Sequence, residues 1–453
     1  MKSNFKVRFW KTETYQGKKG TTYYVRWVVG HGSFREPFNN AALADSYRSR
    51  LRTAANDGEP FSPVTGEPVS WAKQEERTWF DFATDYIAGR WPEWSGKQRC
   101  NAAEAMMWAT IAMTDHARTA PDDYAIRKAL RRYAFNLNAP TPPPDIRATL
   151  EWLARHSRQV ADLAQPDVAR GLLHRLTTRI DGTPRSSWSQ TRNRNVVKTA
   201  LDRAIETGHL ETNPLKGIKT KRIKANVSID KRRCLNHRQA KQLLTATESI
   251  LHSGPRLVAF FATMYYSGLR PEEAVDLKRT DITLPATDDE WGELHLTSAA
   301  PHVGAEWTDN GQQREHRGLK QRNPGDTRTV PCPPNLVAIL RHHMNTYGPG
   351  PDNRVFASIT GGILPAVTCR RIYAKARHLT LTKQEAQSPL AARIYDLRHA
   401  CLSHWLNAGV PPTQVAEWAG NSTDILLRVY ATCITGQQDI YKQRIQNADN
   451  HDT

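Results

Sequence analysis

The side chains best suited to chemistry in this chain fall in three stretches of its C-terminal half. The first reads Tyr266-Ser267-Gly268-Leu269-Arg270-Pro271-Glu272-Glu273. Gly268 suits the end of one helix and Pro271 the first turn of the next, so Arg270 falls at a helix N-terminus. A guanidinium and free backbone amides can converge there on an anion. The second is Lys320, in Gly318-Leu319-Lys320, close to the turn signal Asn323-Pro324-Gly325-Asp326. The third is Tyr395-Asp396-Leu397-Arg398-His399, followed by Trp418-Ala419-Gly420-Asn421 and then Tyr430. Singly, each is a weak signal. An arginine at a helix start is more often half of a structural salt bridge, and with 14 tyrosines in the chain most must be core or surface filler. The 6 cysteines are scattered without a CxxC pair, and no Asp, Glu and His cluster at ligand spacing, which argues against a zinc site or a disulfide framework.

The elements that must hold these residues are legible in outline. The chain has 453 residues, too many for one ordinary core. Residues 1–58 read as three short strands (VRFW, TTYYVRWVV, SFREPF) with a hairpin turn at Gly30-His31-Gly32, then a helix capped by Asn40. Arg8, Arg26 and Arg35 fall on that small sheet, which could lay strands into a DNA groove. Residues 59–77 are rich in Pro, Gly and Ser and read as a linker. From 78 to 215 the periodicity is helical throughout, with nothing that suggests catalysis. Residues 216–233 lack apolar periodicity and read as an exposed basic linker. From 234 to 453 helices surround strands expected over 291–297, 314–320 and 327–332, the last two joined by the 323–326 turn. The loop 298–313 is long and polar, of the kind that often carries function.

Charge points to the partner. Lys and Arg number 63 against 45 Asp and Glu, a net charge of +18, which draws a protein to polyanions. The excess is concentrated: 1–58 has eleven basic residues against four acids, and 216–233 has eight against one, including Lys219, Lys221, Arg222 and Lys224. Two such runs flanking a helical region favour a clamp on a phosphate backbone. No stretch approaches the ~18 apolar residues of a membrane span, and the start lacks the apolar run of a secretory signal. A cytoplasmic, basic, multidomain protein is the expectation.

In order and spacing, Gly268-Leu269-Arg270 with Glu273, the lysine beside a turn, Tyr395-x-x-Arg398-His399, Gly420-Asn421 and the late Tyr430 closely resemble the tyrosine recombinase (phage integrase) family. The whole third block shares the resemblance, of actinobacterial integrase type, and the N-terminal regions share it more loosely. It implies a multidomain α+β fold: an N-terminal three-stranded sheet plus helix as arm-type DNA-binding domain, an all-α core-binding domain, and a mainly α catalytic domain with a small antiparallel sheet. By the same resemblance Arg270 and Arg398 grip the non-bridging oxygens of a scissile phosphate, Lys320 protonates the leaving 5′ oxygen, and Tyr430 is the nucleophile that forms a 3′-phosphotyrosyl link. Glu273 orients active-site groups, and His399 buttresses them. No metal or cofactor is implied.

The chain departs from the family pattern at two positions: Tyr395 stands where the motif has His, and Asn421 where it has His or Trp. Phenol and amide can still donate a hydrogen bond to a phosphate oxygen, but neither carries a proton near pH 7 as imidazole does. The expected function is integration or excision of a phage or mobile element at double-stranded DNA attachment sites. The expected assembly is a homotetramer on DNA, with a C-terminal tail over 438–446 that is either exchanged between protomers or packed on its own domain. A directionality factor and a host DNA-bending protein are possible partners. The rivals are a topoisomerase IB-like relaxing enzyme, against which the arm domain counts, and a catalytically decayed DNA-binding or architectural protein.

Overall fold

The computed structural model describes residues 6–17, 20–71, 77–115, 118–218, 230–320, 323, 325–430, 442 and 446. The basic run Lys219, Lys221, Arg222 and Lys224 lies outside them, as does most of the 438–446 tail. Three apolar cores, one behind each stretch of distinct sequence pattern, organise the chain. The mixed α+β architecture expected from the sequence is borne out.

The N-terminal unit is a four-stranded antiparallel sheet under one helix. The strands are β1 (Val7–Phe9), β2 (Glu13–Gly17), β3 (Gly20–Val29) and β4 (Gly32–Phe38), and the helix is α1 (Ala41–Asn56). Three strands were expected. The fourth, β2, is short, exposed and charged, so it lacks the apolar alternation that marks a strand in sequence. β1 and β2 share one edge of β3, and β4 takes the other. Alternation along β3 turns Val25, Trp27 and Val29 inward against Ala44, Leu51 and Ala54 of α1. Asn40 caps α1 as expected, its Oδ1 accepting from the amide of Ala42 at 2.7 Å. Residues 59–71, read as linker, fold back onto this unit: Phe61 is buried in its core, and the indole of Trp27 donates to the carbonyl of Gly66.

The helical unit packs α2 (Trp79–Arg90), α3 (Gly96–Ala112), α4 (Asp123–Ala129), α5 (Pro144–His156), α6 (Pro166–Thr177) and α7 (Ser187–Glu206) around Trp79, Phe82, Met106 and Leu173. Helix α3 is central, buried on nearly every side, and opens on a Ser95/Gln98 capping box.

The third unit runs α8 (His237–Glu248), α9 (Gly254–Tyr266), α10 (Pro271–Asp276), β5 (Ile282–Thr283), β6 (Gly292–Leu296), β7 (Ser298–Ala299), β8 (Arg317–Gly318), β9 (Arg328–Cys332), α11 (Pro334–Thr346), α12 (Ala366–Thr380), α13 (Lys383–Gln387), α14 (Asp396–Asn407), α15 (Pro412–Ala419) and α16 (Thr423–Tyr430). Its apolar α9 lies at the centre, with α8, α11 and α14 against it.

One strand assignment is corrected. The stretch 314–320 does not pair with 327–332. β9 pairs with β6, while only Arg317–Gly318 is strand and it pairs with β7. The reason lies in the loop between them. Val303 donates its amide to Gln313 at 3.0 Å and His302 bridges to Arg314, so residues 298–318 leave the sheet as a hairpin-like arm. Its tip buries Trp307 in the core of the helical unit. No helix among the described residues is long and apolar enough to cross a membrane.

Candidate active site

Two tight turns in the third unit set its geometry. Gly268 ends α9 at φ +60°, a conformation only glycine adopts without strain, and a Cβ there would meet Leu402 Cδ1 at 2.8 Å. The turn delivers Arg270 to the N-cap of α10. Gly420 ends α15 in the left-handed region, at φ +62°. This reverses the chain so that the amide of Asn421 donates to the carbonyl of Ala416 at 2.9 Å and its side chain points back at the arginines.

Arg270 and Arg398 meet at that side chain. Asn421 Oδ1 accepts from Arg270 at 2.9 Å and from Arg398 at 3.5 Å. Arg270 also donates to the carbonyl of Gly420 at 2.6 Å, and Arg398 to the carbonyls of Ala419, at 2.6 Å, and Gly268. Both guanidiniums are buried, Arg398 completely, and Arg398 Nε has no partner. These carbonyl oxygens and one amide are weak acceptors for cations, so the donors that reach them are available to a stronger anion.

A third guanidinium, at a position that no motif in the sequence marks, completes the cluster. Arg328 enters from β9 and donates to both oxygens of Glu273, at 3.1 and 2.7 Å, while Arg270 donates to Glu273 Oε1 at 2.6 Å. Burial alone would raise the Glu273 carboxyl. The charges of Arg328 and Arg270 outweigh it and hold the group at about 2. Glu273 is thus a permanent carboxylate. It balances one of three guanidiniums and leaves a buried positive excess. A signal for Arg328 was present in the sequence: it alternates with Val330 and Cys332, in phase with the core face of β9, where an arginine must find a carboxylate.

Tyr430, the last residue of α16, is buried beside this cluster. Its hydroxyl lies 2.7 Å from His399 Nδ1, and the Tyr395 ring packs edge-on against the same imidazole at 4.9 Å. His399 was expected only as a buttress; it is the direct hydrogen-bond partner of the tyrosine. Burial, helped by the charges of Arg393 and Arg398, lowers the His399 imidazole to about 3, so it is neutral at pH 7. Burial also raises the Tyr430 phenol above its ordinary value, partly offset by Arg398.

Lys320 lies outside this hydrogen-bonded cluster, exposed at the foot of the arm, while its neighbour Leu319 is buried in the core. In the N-terminal unit Arg26 faces Arg35 across β3 and β4, and Arg8 faces Val28 across β1 and β3. All three arginines therefore lie on the sheet face opposite α1. Aromatic rings accompany them: Arg35 lies over Tyr24 at 3.5 Å and Arg26 over Trp10 at 5.8 Å, with Arg26 also paired to Glu13 at 2.7 Å.

Comparison with known proteins found no matching family model. Solved structures with some likeness include the Tn1549 transposon integrase in complex with transposon right end DNA (15% identity, TM-score 0.46, 68% of this chain and 94% of that one). A lambda integrase dimer bound to a COC′ core site gives 14% identity and a TM-score of 0.46 over 91% of this chain and 92% of that one. In sequence, the chain is 25% identical over 264 residues to a curated protein of Caldanaerobacter subterraneus subsp. tengcongensis named "Tyrosine recombinase XerC-like", a match that takes in 54% of this chain. The chain spans 62% of the length of that relative. This similarity in sequence bears out the resemblance to the tyrosine recombinases that the motifs around Arg270 and Arg398 carry.

Proposed function

We propose that the protein is a site-specific tyrosine recombinase of the integrase kind, which cuts and rejoins double-stranded DNA through a 3′-phosphotyrosyl intermediate. The observation that carries this reading is the convergence of Arg270 and Arg398 on Asn421, next to a tyrosine hydrogen-bonded to a neutral histidine. A phosphodiester carries one negative charge, and more builds on its non-bridging oxygens as the phosphorus becomes five-coordinate. Beside the Glu273 carboxylate that holds Arg270, these two buried guanidiniums contact backbone carbonyls and one amide, which can be exchanged for the phosphate oxygens. Tyr430 Oη attacks phosphorus as its proton passes to His399, whose imidazole is unprotonated at neutral pH and whose low basicity the negative charge of the bound phosphate offsets. The P–O5′ bond breaks, its electron pair stays on the 5′ oxygen, and Lys320 gives that oxygen a proton. The phosphotyrosyl bond keeps the free energy of the phosphodiester, so the reverse attack rejoins the strand without ATP.

His399 thereby takes the part that a histidine at position 395 would have. Tyr395 holds the imidazole edge-on, and Asn421 fixes the two arginines relative to each other. The basic, aromatic face of the N-terminal sheet would contact arm sites through Arg8, Arg26 and Arg35. The helical and C-terminal units, joined through Lys219, Lys221, Arg222 and Lys224, would enclose the core site. A tetramer on DNA, a directionality factor and a host DNA-bending protein fit an integrase with separate arm and core contacts.

One feature favours a second reading. Tyr430 is 2% exposed and Arg398 is fully buried, as in a DNA-binding protein that does not cut. The test uses nicked duplexes with a randomised core, incubated with the natural protein or with Tyr430→Phe, run on a denaturing gel and sequenced from any adduct. The expected outcome is a covalent protein–DNA adduct from the natural protein alone. If both proteins retain DNA on a native gel and neither forms an adduct, the non-cutting reading replaces the recombinase.

A further inference from the structure

The arm over residues 298–318 is the only covalent excursion of the third unit whose tip, among the described residues, is buried in the core of another unit. Trp307 sits in the helical core, 2% exposed, with its ring 6.2 Å from that of Trp91 and the Arg131 guanidinium 5.9 Å from its centre. Polar contacts close around it. Arg99 of α3 forks onto Asp309 at 2.6 and 3.2 Å and onto the Trp307 carbonyl at 3.3 Å, Asn138 donates to the carbonyl of Thr308 at 3.0 Å, and the amide of Gly96 donates to Glu315 at 3.0 Å. The approach is tight enough to require glycine at the start of α3: a Cβ on Gly96 would lie 2.8 Å from the Trp307 carbonyl oxygen.

The other end of the arm is fastened to the helix that begins at Arg270. The amide of Ala300 donates to the carbonyl of Glu272 at 2.9 Å, Ser298 donates to Asp276 at 2.6 Å, and His316 lies 3.0 Å from the same carboxylate. Lys320 follows two residues after β8, directly after the buried Leu319. The arm is therefore braced at both ends, and Lys320 sits at its root.

We propose that the arm is a strap that couples closure of the helical unit to the placement of Lys320, with Trp307, Arg99 and Asp309 as positioning residues. The proposal rests on the recombinase reading. A strap anchored in the helical core moves with that unit, so Lys320 reaches the leaving oxygen only when both units have closed on the duplex. Protonation of that oxygen, and not the attack by Tyr430, is the step the strap controls.

The test compares two nicked duplexes that carry the core recovered as above, one natural and one with sulfur in place of the bridging 5′ oxygen. A thiolate leaves without a proton, so cleavage of the sulfur duplex does not need Lys320. Lys320→Ala, Trp307→Ala, Asp309→Ala and Gly96→Ala are assayed for adduct formation, with thermal unfolding and DNA retention alongside. Asp309 is the exposed partner of the buried Arg99, which keeps the carbonyls of Trp91 and Trp307 as acceptors without it, and Gly96→Ala pushes the strap away while every polar group that holds it stays in place. Lys320→Ala is expected to lose about 10²–10⁴ in rate on the oxygen duplex, and the strap variants at least about 10-fold, with the sulfur duplex restoring all of them to near the natural rate. Equal losses on both duplexes, or no loss in Asp309→Ala and Gly96→Ala, overturn the strap. Absence of adduct from the natural protein on either duplex overturns the recombinase reading, and the strap with it.

Discussion

At the scale of single residues, the site is an ionic problem solved by Glu273. Arg270, Arg328 and Arg398 crowd a buried volume in which an unpaired guanidinium is strongly unfavourable, and this carboxylate contacts two of them. Glu273→Gln removes the charge while keeping size and one acceptor oxygen. It is expected to destabilise the protein by about 3–5 kcal/mol, because two buried cations lose their counter-charge. Urea unfolding of the natural and variant proteins at pH 7 measures this, and a loss under about 1 kcal/mol would mean that water reaches the cluster. Arg270, Glu273, Arg398, His399, Asn421 and Tyr430 were all legible as candidates, since their motifs fix order and spacing. What spacing could not give was partnership. That His399 touches Tyr430, while Tyr395 only packs against the imidazole, depends on how α14 and α16 rotate against each other. Arg328 was not picked out as a candidate despite its phase with Val330 and Cys332, because no motif surrounds it and its role depends on a carboxylate 55 positions away in sequence.

Among the elements, strong local signals were read correctly and weak ones were not. The Asn40 cap of α1 and the Gly268 stop of α9 lie as expected, because such signals act within a few residues. β2 and the β7–β8 arm were missed or misassigned, because one is held by pairing along β3 and the other by Trp307 in a distant core. Placement of Arg8, Arg26 and Arg35 on one sheet face followed from alternation alone, and it carries an element-scale prediction. If that face binds a phosphate backbone, removing one arginine from its phosphate should flatten the slope of log K against log salt by about 0.9. Arg8→Ala with Arg35→Ala is expected to lower the slope by about 2 on arm-site duplexes and to leave the slope on an isolated core duplex unchanged. Both arginines are exposed, so the fold should survive. An unchanged arm-site slope would remove the sheet from the interface.

For the whole molecule, the imidazoles of His343 and His399 and the Glu273 carboxyl all weaken the fold as the pH falls. Burial lowers His343, hydrogen-bonded to the Val355 carbonyl at 3.1 Å, to about 4, and burial with neighbouring arginines lowers His399 to about 3, both from an ordinary 6.5. Between those values the unfolded chain binds more protons than the folded one, so stability is full above about pH 6.5 and falls as the pH drops. Glu273 follows at lower pH. Held at about 2 against an ordinary 4.5, its stabilisation is present above 4.5 and is lost as pH falls toward 2. The two effects are offset on the pH axis and should give a decline in two stages. Each unit of pKa depression is worth about 1.4 kcal/mol per group when complete, enough for the histidines alone to matter between pH 6.5 and 4. Urea unfolding at pH 7.5, 5.5 and 4.5, at fixed ionic strength because the net charge is already +18, should show a steady loss. His343→Phe, which removes one titrating group from a site that is already apolar, should flatten the upper stage without touching the arginine cluster. Stability that is level from pH 7.5 to 4.5 would mean that these imidazoles reach solvent as readily folded as unfolded, and with that the neutral proton acceptor beside Tyr430 would lose its basis.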